Sequence, residues 1–264
     1  MTFDDILYDK QDGIGTITIN RPDVLNAFRP ETVSEAIEAF QDAWRDRSIG
    51  ALILTGTGDR AFCTSGSQSV RSPEGYQGAR WRSDTDTDAV DLHSVIREIP
   101  KPVIAAVNGD AIGGGNVLHL LCDLTIAAAT ARFGQIGPRL GSVDPGFGTA
   151  YLARVVGDKR AREMWYLCRQ YSAEEALAMG MVNKVVPGAE LMNEARAWAA
   201  EILEKSPTAI KIAKASFNAE TDHMRGIGSL GMTSLALHYG TPEAIEGRNA
   251  FTEKRKPDFR KFRR

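Results

Sequence analysis

Cysteine is scarce. Cys63, Cys122 and Cys168 are odd in number, far apart and without metal-ligand spacing, which excludes a disulfide framework or a thiolate cluster and predicts free thiols in a reducing compartment. Cys122 and Cys168 fall in apolar helical runs and are expected in the core. Histidine is sparse too: His93, His119, His223 and His238 show no metal-ligand spacing, and His119, in an apolar helix, reads as a satisfied core residue. Neither sign of charge dominates. With 32 Lys and Arg against 34 Asp and Glu, the net charge of -2 argues against a general nucleic-acid or membrane-surface binder. No apolar run reaches membrane-spanning length, and Asp4, Asp5, Asp9, Lys10 and Asp12 spoil any secretory h-region. A cytoplasmic location is expected.

What is present is core-forming material: 264 residues, 43% of them hydrophobic, enough for one large core or a main domain with an appendage. ILYDKQDGIGTITIN predicts a hairpin closed at Gln11-Asp12-Gly13, and residues 30–46 predict an amphipathic helix with Pro30 in its first turn. The strand GALILTG (50–56) leads into the loop AFCTSGSQ and a helix that ends before Lys101-Pro102. The strand at 101–110 leads into a second glycine loop and another helix, so a unit of strand, small-residue loop and helix recurs at 50–99 and 102–122. From about residue 147 the chain reads as nearly all helical. Between the units, SPEGYQGARWRSDTDTDA (72–89) is a long polar loop. Asp84, Asp86 and Asp88 fit a solvated surface there, whereas Tyr76 and Trp81 are aromatics of the kind that cover a ligand.

The stretch IGGGNVLH (112–119) poses the sharpest question. Glycine costs roughly 0.5–1 kcal/mol relative to alanine inside a regular element, so three in a row need a reason. One reading is a tight turn with close helix packing. The other is a set of bare N–H groups at a helix N-terminus, facing developing negative charge.

Two such loops, AFCTSGSQ and AIGGGNVLH, together with NRPDVLNAFRP (20–30), KPVIAAVNGD, FGQIGPRLGSVDPGFG (133–148), MGMVNKVV and SPTAIKIAK, make the whole chain resemble the crotonase (enoyl-CoA hydratase/isomerase) superfamily. The resemblance implies an α/β fold, the ClpP-like spiral of ββα turns, with a spiral core at 1–200 and a C-terminal helical module at 201–264 for trimerisation and substrate cover. It further implies a homotrimer or hexamer, an acyl-CoA substrate, no tightly bound cofactor and no nucleic-acid or membrane partner. The thioester oxygen would lie between two amides, which map to Gly66 and Gly114.

Family membership leaves the reaction open. Where the hydratases carry glutamates this chain has Val117 and Gly137, so ordinary hydration lacks its acid and base. Asp144 in GSVDPGFG reads as a turn-former or a catalytic carboxylate, and the family position favours the latter. The motifs FGQxGPxxGSxD and the loop AFC(T/S)GGDQ, with a loop tyrosine at Tyr76 and a C-terminal one at Tyr239, resemble two subfamilies most: the 2-ketocyclohexanecarboxyl-CoA hydrolases and the 1,4-dihydroxy-2-naphthoyl-CoA synthases. Both imply C–C chemistry on a β-keto thioester, with Asp144 moving a proton, Tyr239 at a second oxygen and Ser142 at substrate. The hydrolase is the favoured match. Substrate contacts then extend to Thr64, Ser65, Ser67, Gln68, Gly137 and Tyr76, with Arg29, Arg71 and Lys254 near the CoA phosphates. Some of the synthases are thought to use bicarbonate, which implies a place for it beside Gly137.

One departure concerns both subfamilies. Their GGDQ is Ser65-Gly66-Ser67-Gln68 here, and a positive φ at position 65 would cost a serine on the order of 1 kcal/mol. The tail KRKPDFRKFRR (254–264) reads as a solvated basic end. It is also the feature on which RNA binding, known for a few proteins of this fold, would rest, against the acidic overall balance.

Overall fold

The computed structural model describes residues 2–66, 88–144 and 146–263. Strands β1 (Ile6–Gln11) and β2 (Ile14–Ile19) form the expected antiparallel hairpin. Asp12 and Gly13 close it at φ 52° and 80°, the pair of left-handed residues that a two-residue turn requires. Helix α1 (Pro30–Arg45) has Pro30 at its first position and buries Val33, Ala36, Ala39, Phe40 and Ala43, a helical stripe that faces the sheet.

The remaining strands are β3 (Ala51–Gly56), β4 (Ala61–Cys63), β5 (Val103–Val107), β6 (Asp110–Ile112), β7 (Leu124–Ala128), β8 (Arg132–Gly134), β9 (Gln170–Ser172) and β10 (Lys184–Val186). A six-stranded sheet runs β1-β2-β3-β5-β7-β10, parallel from β2 onward, and a four-stranded sheet runs β4-β6-β8-β9, with only β9 antiparallel. The chain therefore lays one strand in the large sheet, the next in the small sheet, and then a helix. β3 and β4 lead to α2 (Asp88–Glu98), and β5 and β6 to α3 (Gly114–Leu121). This is the recurring unit seen in the sequence, with the short strands of the small sheet added.

Helices α4 (Ala150–Val156), α5 (Asp158–Leu167), α6 (Ala173–Ala178), α7 (Leu191–Leu203), α8 (Pro207–Glu220), α9 (Arg225–Tyr239) and α10 (Pro242–Thr252) follow. The expectation of a nearly all-helical region from residue 147 is corrected by β9 and β10, each of three residues. They cap the edges of the two sheets, and at that length carry no readable periodicity.

The large sheet is covered on both sides. Ala51 and Ile53 pack with Leu191, Ala195 and Ala199 of α7, whereas Leu52 and Leu54 belong to the cluster with Phe40 of α1, Ile96 of α2 and Leu118 of α3. Two buried faces explain why β3 reads as an unbroken apolar run rather than an alternation. Each buried large side chain contributes roughly 1.5–3 kcal/mol, and this double layer is the platform for the loops above it.

Cys63, Cys122 and Cys168 are free. Cys122 is buried, but Cys168 is only half-buried and sits at φ 50° as the residue that ends α5. Met164 and Trp165 of the run before it are buried, but its immediate neighbours Tyr166 and Leu167 are exposed, so Cys168 is a helix stop rather than a core residue.

Candidate active site

The glycine run answers to both of its readings. Gly113 caps α3 at φ 60° and ψ -117°, a conformation closed to most residues with a Cβ. Gly115 lies so close to β4 that an added Cβ would be 1.9 Å from the Cys63 carbonyl oxygen. That is the packing role. Gly114 is the first residue of α3, and its amide is among those a helix start leaves unpaired.

Gly114 is also beside the other loop. A Cβ on Gly114 would lie 3.5 Å from Ser65 Cα, and one on Gly113 would lie 3.0 Å from Ser65 Oγ. The phenyl ring of Phe28 packs on both glycines: added Cβ atoms would meet it at 2.8 Å from Gly114 and 3.3 Å from Gly66. Neither the Gly66 nor the Gly114 amide donates a hydrogen bond among the described residues. Two unpaired N–H groups thus lie on adjacent loops, a suitable frame for an oxyanion.

The first loop is held from below. Phe28 N–H donates to the Ser65 carbonyl at 3.0 Å, and Thr64 Oγ1 donates to the Leu25 carbonyl at 3.1 Å. Leu25 and Asn26 are both at φ 54°. Buried Asn26 donates from Nδ2 to the carbonyls of Thr57 at 3.0 Å and Ala61 at 2.7 Å and accepts from Arg21 N–H at 3.0 Å. Phe28 and Asn26 were not singled out in the sequence. Both act across distances of 30 residues or more, and only the left-handed Leu-Asn pair in NRPDVLNAF hints at a tight turn. Ser65 is at φ 73°, the strained conformation that its replacement of glycine made a concern.

Asp144 closes the other side. Its Oδ1 accepts from the amides of Gly146 at 3.0 Å and Gly148 at 3.1 Å, while its Oδ2 is buried with no hydrogen-bond partner among the described residues. Burial pushes the carboxyl above the ordinary carboxylate range, and the hydrogen bonds from the amides of Gly146 and Gly148 oppose this without overcoming it. A Cβ on Gly148 would meet Asp144 Oδ1 at 2.7 Å and Val117 Cγ2 at 3.0 Å, so both converge on one point. Val117 is one turn of α3 beyond Gly114, about 5 Å along the axis. Aspartate and oxyanion frame are therefore neighbours.

Tyr239, the last residue of α9, is buried, and its hydroxyl shares a 3.0 Å hydrogen bond with Ser142 Oγ. The phenol thus faces the interior rather than water. Ser142 N–H donates to the Gly137 carbonyl at 2.9 Å, which ties the phenol to the Asp144 loop. Behind that loop, Phe147 is held at φ 65° between His93, with ring centroids 5.8 Å apart, and Arg97, 5.5 Å above its ring. Burial lowers the His93 pKa to about 4 and that of His119 to about 3. His119 contacts Asn116 Oδ1 at 3.1 Å and Thr125 Oγ1 at 3.3 Å, the satisfied core residue expected of it.

Two peripheral expectations change. Arg29 forms a fork with Asp5, Nε donating to Oδ2 at 2.7 Å and Nη2 to Oδ1 at 3.0 Å, so its guanidinium is already committed. The basic tail is not merely solvated: Arg255 and Lys261 pair with Glu246 of α10, and Arg260 with Asp258. Lys254 lines a groove of about 840 Å³ whose walls include Ile136, Arg139, Tyr166, Phe251 and Lys256. Ile136 also lies 3.8 Å from where a Gly113 Cβ would be, so one side chain borders the groove and the glycine turn. Ser67, Gln68, Arg71 and Tyr76 lie outside the described residues. Among the described residues no cluster of His, Cys, Asp and Glu could hold a metal, and no helix is long and apolar enough to cross a membrane.

Comparison with known proteins agrees with this geometry. The chain is similar to the structure of an enoyl-CoA hydratase from Mycobacterium avium subsp. paratuberculosis K-10, at 27% identity over 98% of this chain and 99% of that one, with a TM-score of 0.86. An enoyl-CoA hydratase/isomerase from Xanthobacter autotrophicus Py2 matches at 30% identity over 96% and 94%, with a TM-score of 0.83. An enoyl-CoA hydratase from Bacillus anthracis matches at 29% over 97% and 98%, with a TM-score of 0.75. Residues 9–262 match the profile of the enoyl-CoA hydratase/isomerase family, and with the two-sheet spiral and paired glycine loops this places the chain in that family, the crotonase superfamily.

Proposed function

We propose that the protein acts on an acyl-CoA thioester and makes or breaks a C–C bond of a β-keto acyl group, with hydrolytic ring opening of a 2-ketocycloalkanecarboxyl-CoA as the favoured reaction. The observation that carries this reading is the distribution of carboxylates. Val117 and Gly137 stand where the hydratases of this superfamily have glutamates, while Asp144 presents a buried Oδ2 without a partner among the described residues.

In this mechanism the amides of Gly66 and Gly114 hold the thioester oxygen. Water adds to the ring ketone as Asp144 takes up its proton, and Tyr239, positioned by Ser142, donates to the second oxygen as charge builds there. The C–C bond breaks, its electron pair forms the thioester enolate, and a proton from Asp144 returns to the α-carbon. The alternative is ring closure of o-succinylbenzoyl-CoA by the synthase reaction, which uses the same groups in the opposite sense. Lys254 and Lys256 on the groove are the cations assigned to the CoA phosphates, since Arg29 is paired with Asp5. In the synthase alternative, bicarbonate beside Gly137 would serve as the base that this position lacks. Phe217, Leu230 and Leu237 on α8 and α9 are exposed apolar residues that assembly into a trimer or hexamer would cover.

Incubation with 2-ketocyclohexanecarboxyl-CoA, o-succinylbenzoyl-CoA and crotonyl-CoA, followed by mass spectrometry, tests the reading. Water gain by the first is expected. Water loss by the second would select the synthase, and efficient hydration of the third alone would refute both.

A further inference from the structure

Ser65 holds a left-handed φ of 73°, a region that costs a residue with a Cβ on the order of 1 kcal/mol and glycine nothing. Strain of this kind persists where the surroundings impose it, and it concentrates at sites of function. Here the surroundings do impose it. The Ser65 carbonyl accepts from Phe28 N–H at 3.0 Å and Gly66 bridges to Phe28, so the backbone cannot relax without releasing the loop.

The position of the side chain gives the strain a purpose. Ser65 Oγ is 3.0 Å from the point where a Gly113 Cβ would sit, with Ser65 Cβ at 3.1 Å. In the chain the hydroxyl immediately precedes the Gly66 peptide, and in space it lies beside Gly113, whose peptide leads to Gly114. Those are the two peptide groups whose N–H donors form the oxyanion frame. The hydroxyl makes no hydrogen bond with any described residue, and Ser65 is only half-buried. Glycine at Gly113 and Gly114 keeps the space between the loops open, because a Cβ on either would press on Ser65 or on Phe28.

We propose that Ser65 Oγ is a third donor of the oxyanion hole, adding a side-chain O–H to the amides of Gly66 and Gly114 on the oxygen of a thioester enolate. This rests on the enolate reading of the site. Two amides alone would serve a neutral thioester carbonyl. A third, rotatable donor favours the state in which that oxygen carries a full charge, because hydrogen bonds to an ionised acceptor are roughly twice as strong as neutral ones.

The test uses acetoacetyl-CoA, a β-keto thioester that ionises to a chromophoric enolate whatever the natural acyl group is. The full-length protein is titrated with it at several pH values, and enolate absorbance gives the affinity for the charged form. Ser65→Ala removes the hydroxyl and keeps the strain; Ser65→Gly removes both. Both variants are expected to bind the enolate roughly 10- to 100-fold more weakly than wild type, with CoA affinity unchanged. Ser65→Gly is also expected to melt about 2–4 °C higher, which shows that it folds. Wild-type enolate affinity in both variants would overturn the third-donor role while leaving the two-amide site intact. A wild-type protein that binds CoA but never the enolate would overturn the enolate reading and this proposal with it.

Discussion

Replacing Asp144 by asparagine tests the site through stability and turnover together. Asparagine Oδ1 can still accept from the amides of Gly146 and Gly148, so the loop keeps its shape, while Nδ2 takes the place of the unpartnered Oδ2. Burial raises the carboxyl's pKa, and the sign follows from that. Between the unfolded value near 3.9 and the higher folded one, the folded state binds more protons than the unfolded chain, so stability falls as pH rises through that window. Above the folded value the penalty is complete. It amounts to about 1.4 kcal/mol for each tenfold difference in proton affinity.

Asparagine is neutral throughout. Its stability relative to wild type should therefore be lowest below about pH 4 and climb as pH rises through the window to a plateau, on top of a constant offset from burying the amide. Turnover should move the other way, falling roughly 10²- to 10⁴-fold, or about 3–5 kcal/mol of transition-state stabilisation, with CoA-ester binding nearly unchanged. Thermal unfolding of both proteins from pH 4 to pH 8, alongside kcat on the active CoA ester, measures both. Parallel stability profiles would mean that the carboxyl is not held at a raised pKa; near-normal turnover would remove it from the chemistry.

Gly115→Ala should cost about 3 kcal/mol or more, because the 1.9 Å approach is to the Cys63 carbonyl of β4; chemical denaturation measures it. Asn26→Ala leaves the Thr57 carbonyl without its donor and the Ala61 carbonyl with Asn108 Nδ2 alone and should lower stability by roughly 1–3 kcal/mol, with activity lost in step as the first loop loosens. Arg29→Ala should lower the melting temperature, since Asp5 keeps Arg21 and Thr32 but loses its bidentate partner, yet leave KM for the CoA ester within about twofold; a large rise in KM would restore Arg29 to the phosphates. Tyr239→Phe should abolish ring opening or closure while the bound β-keto thioester still exchanges its α-proton with deuterated solvent, as followed by mass spectrometry.

The features legible in the sequence were those set by local chemistry. Asp12-Gly13 announces its turn, Pro30 its helix start, and ALILTG a strand buried on both faces. Asp144, Gly66 and Gly114 stand out as candidates because the resemblance rests on short motif loops that contain them. What could not be read depends on distant partners. Arg29 resembles a phosphate ligand until Asp5, 24 residues away, is seen in its fork. The basic tail looks solvated until Glu246 of α10 is found among its arginines and lysines. Phe28 is an ordinary aromatic in sequence, and becomes the wedge between two loops only when the spiral brings residues 66 and 114 to the same ring.

The distribution of strained residues connects the fold to the chemistry. Among the described residues seven non-glycine positions have positive φ; Asp12, Cys168 and Lys254 lie elsewhere, and the other four, Leu25, Asn26, Ser65 and Phe147, border the glycine loops or the Asp144 loop. Each costs on the order of 1 kcal/mol, comparable in total to a sizeable part of the 5–15 kcal/mol that keeps a domain folded. Such a concentration survives only on a rigid base. The doubly covered sheet supplies it, with Ile53, Leu52, Ile104 and Ile126 fully buried beneath the loops. Among the described residues the same loops leave two amides and one carboxyl oxygen without partners, arrangements that also lower stability and that a relaxed backbone would close. A variant that relieves strain at one of these positions should therefore gain stability, and it keeps activity only where the strained residue contributes no atom to the substrate. Leu25, whose left-handed φ holds the carbonyl that receives Thr64 Oγ1, and Ser65, whose hydroxyl lies over the glycine turn, fall on opposite sides of that division: Leu25→Gly should be stabilised and active, Ser65→Gly stabilised and impaired.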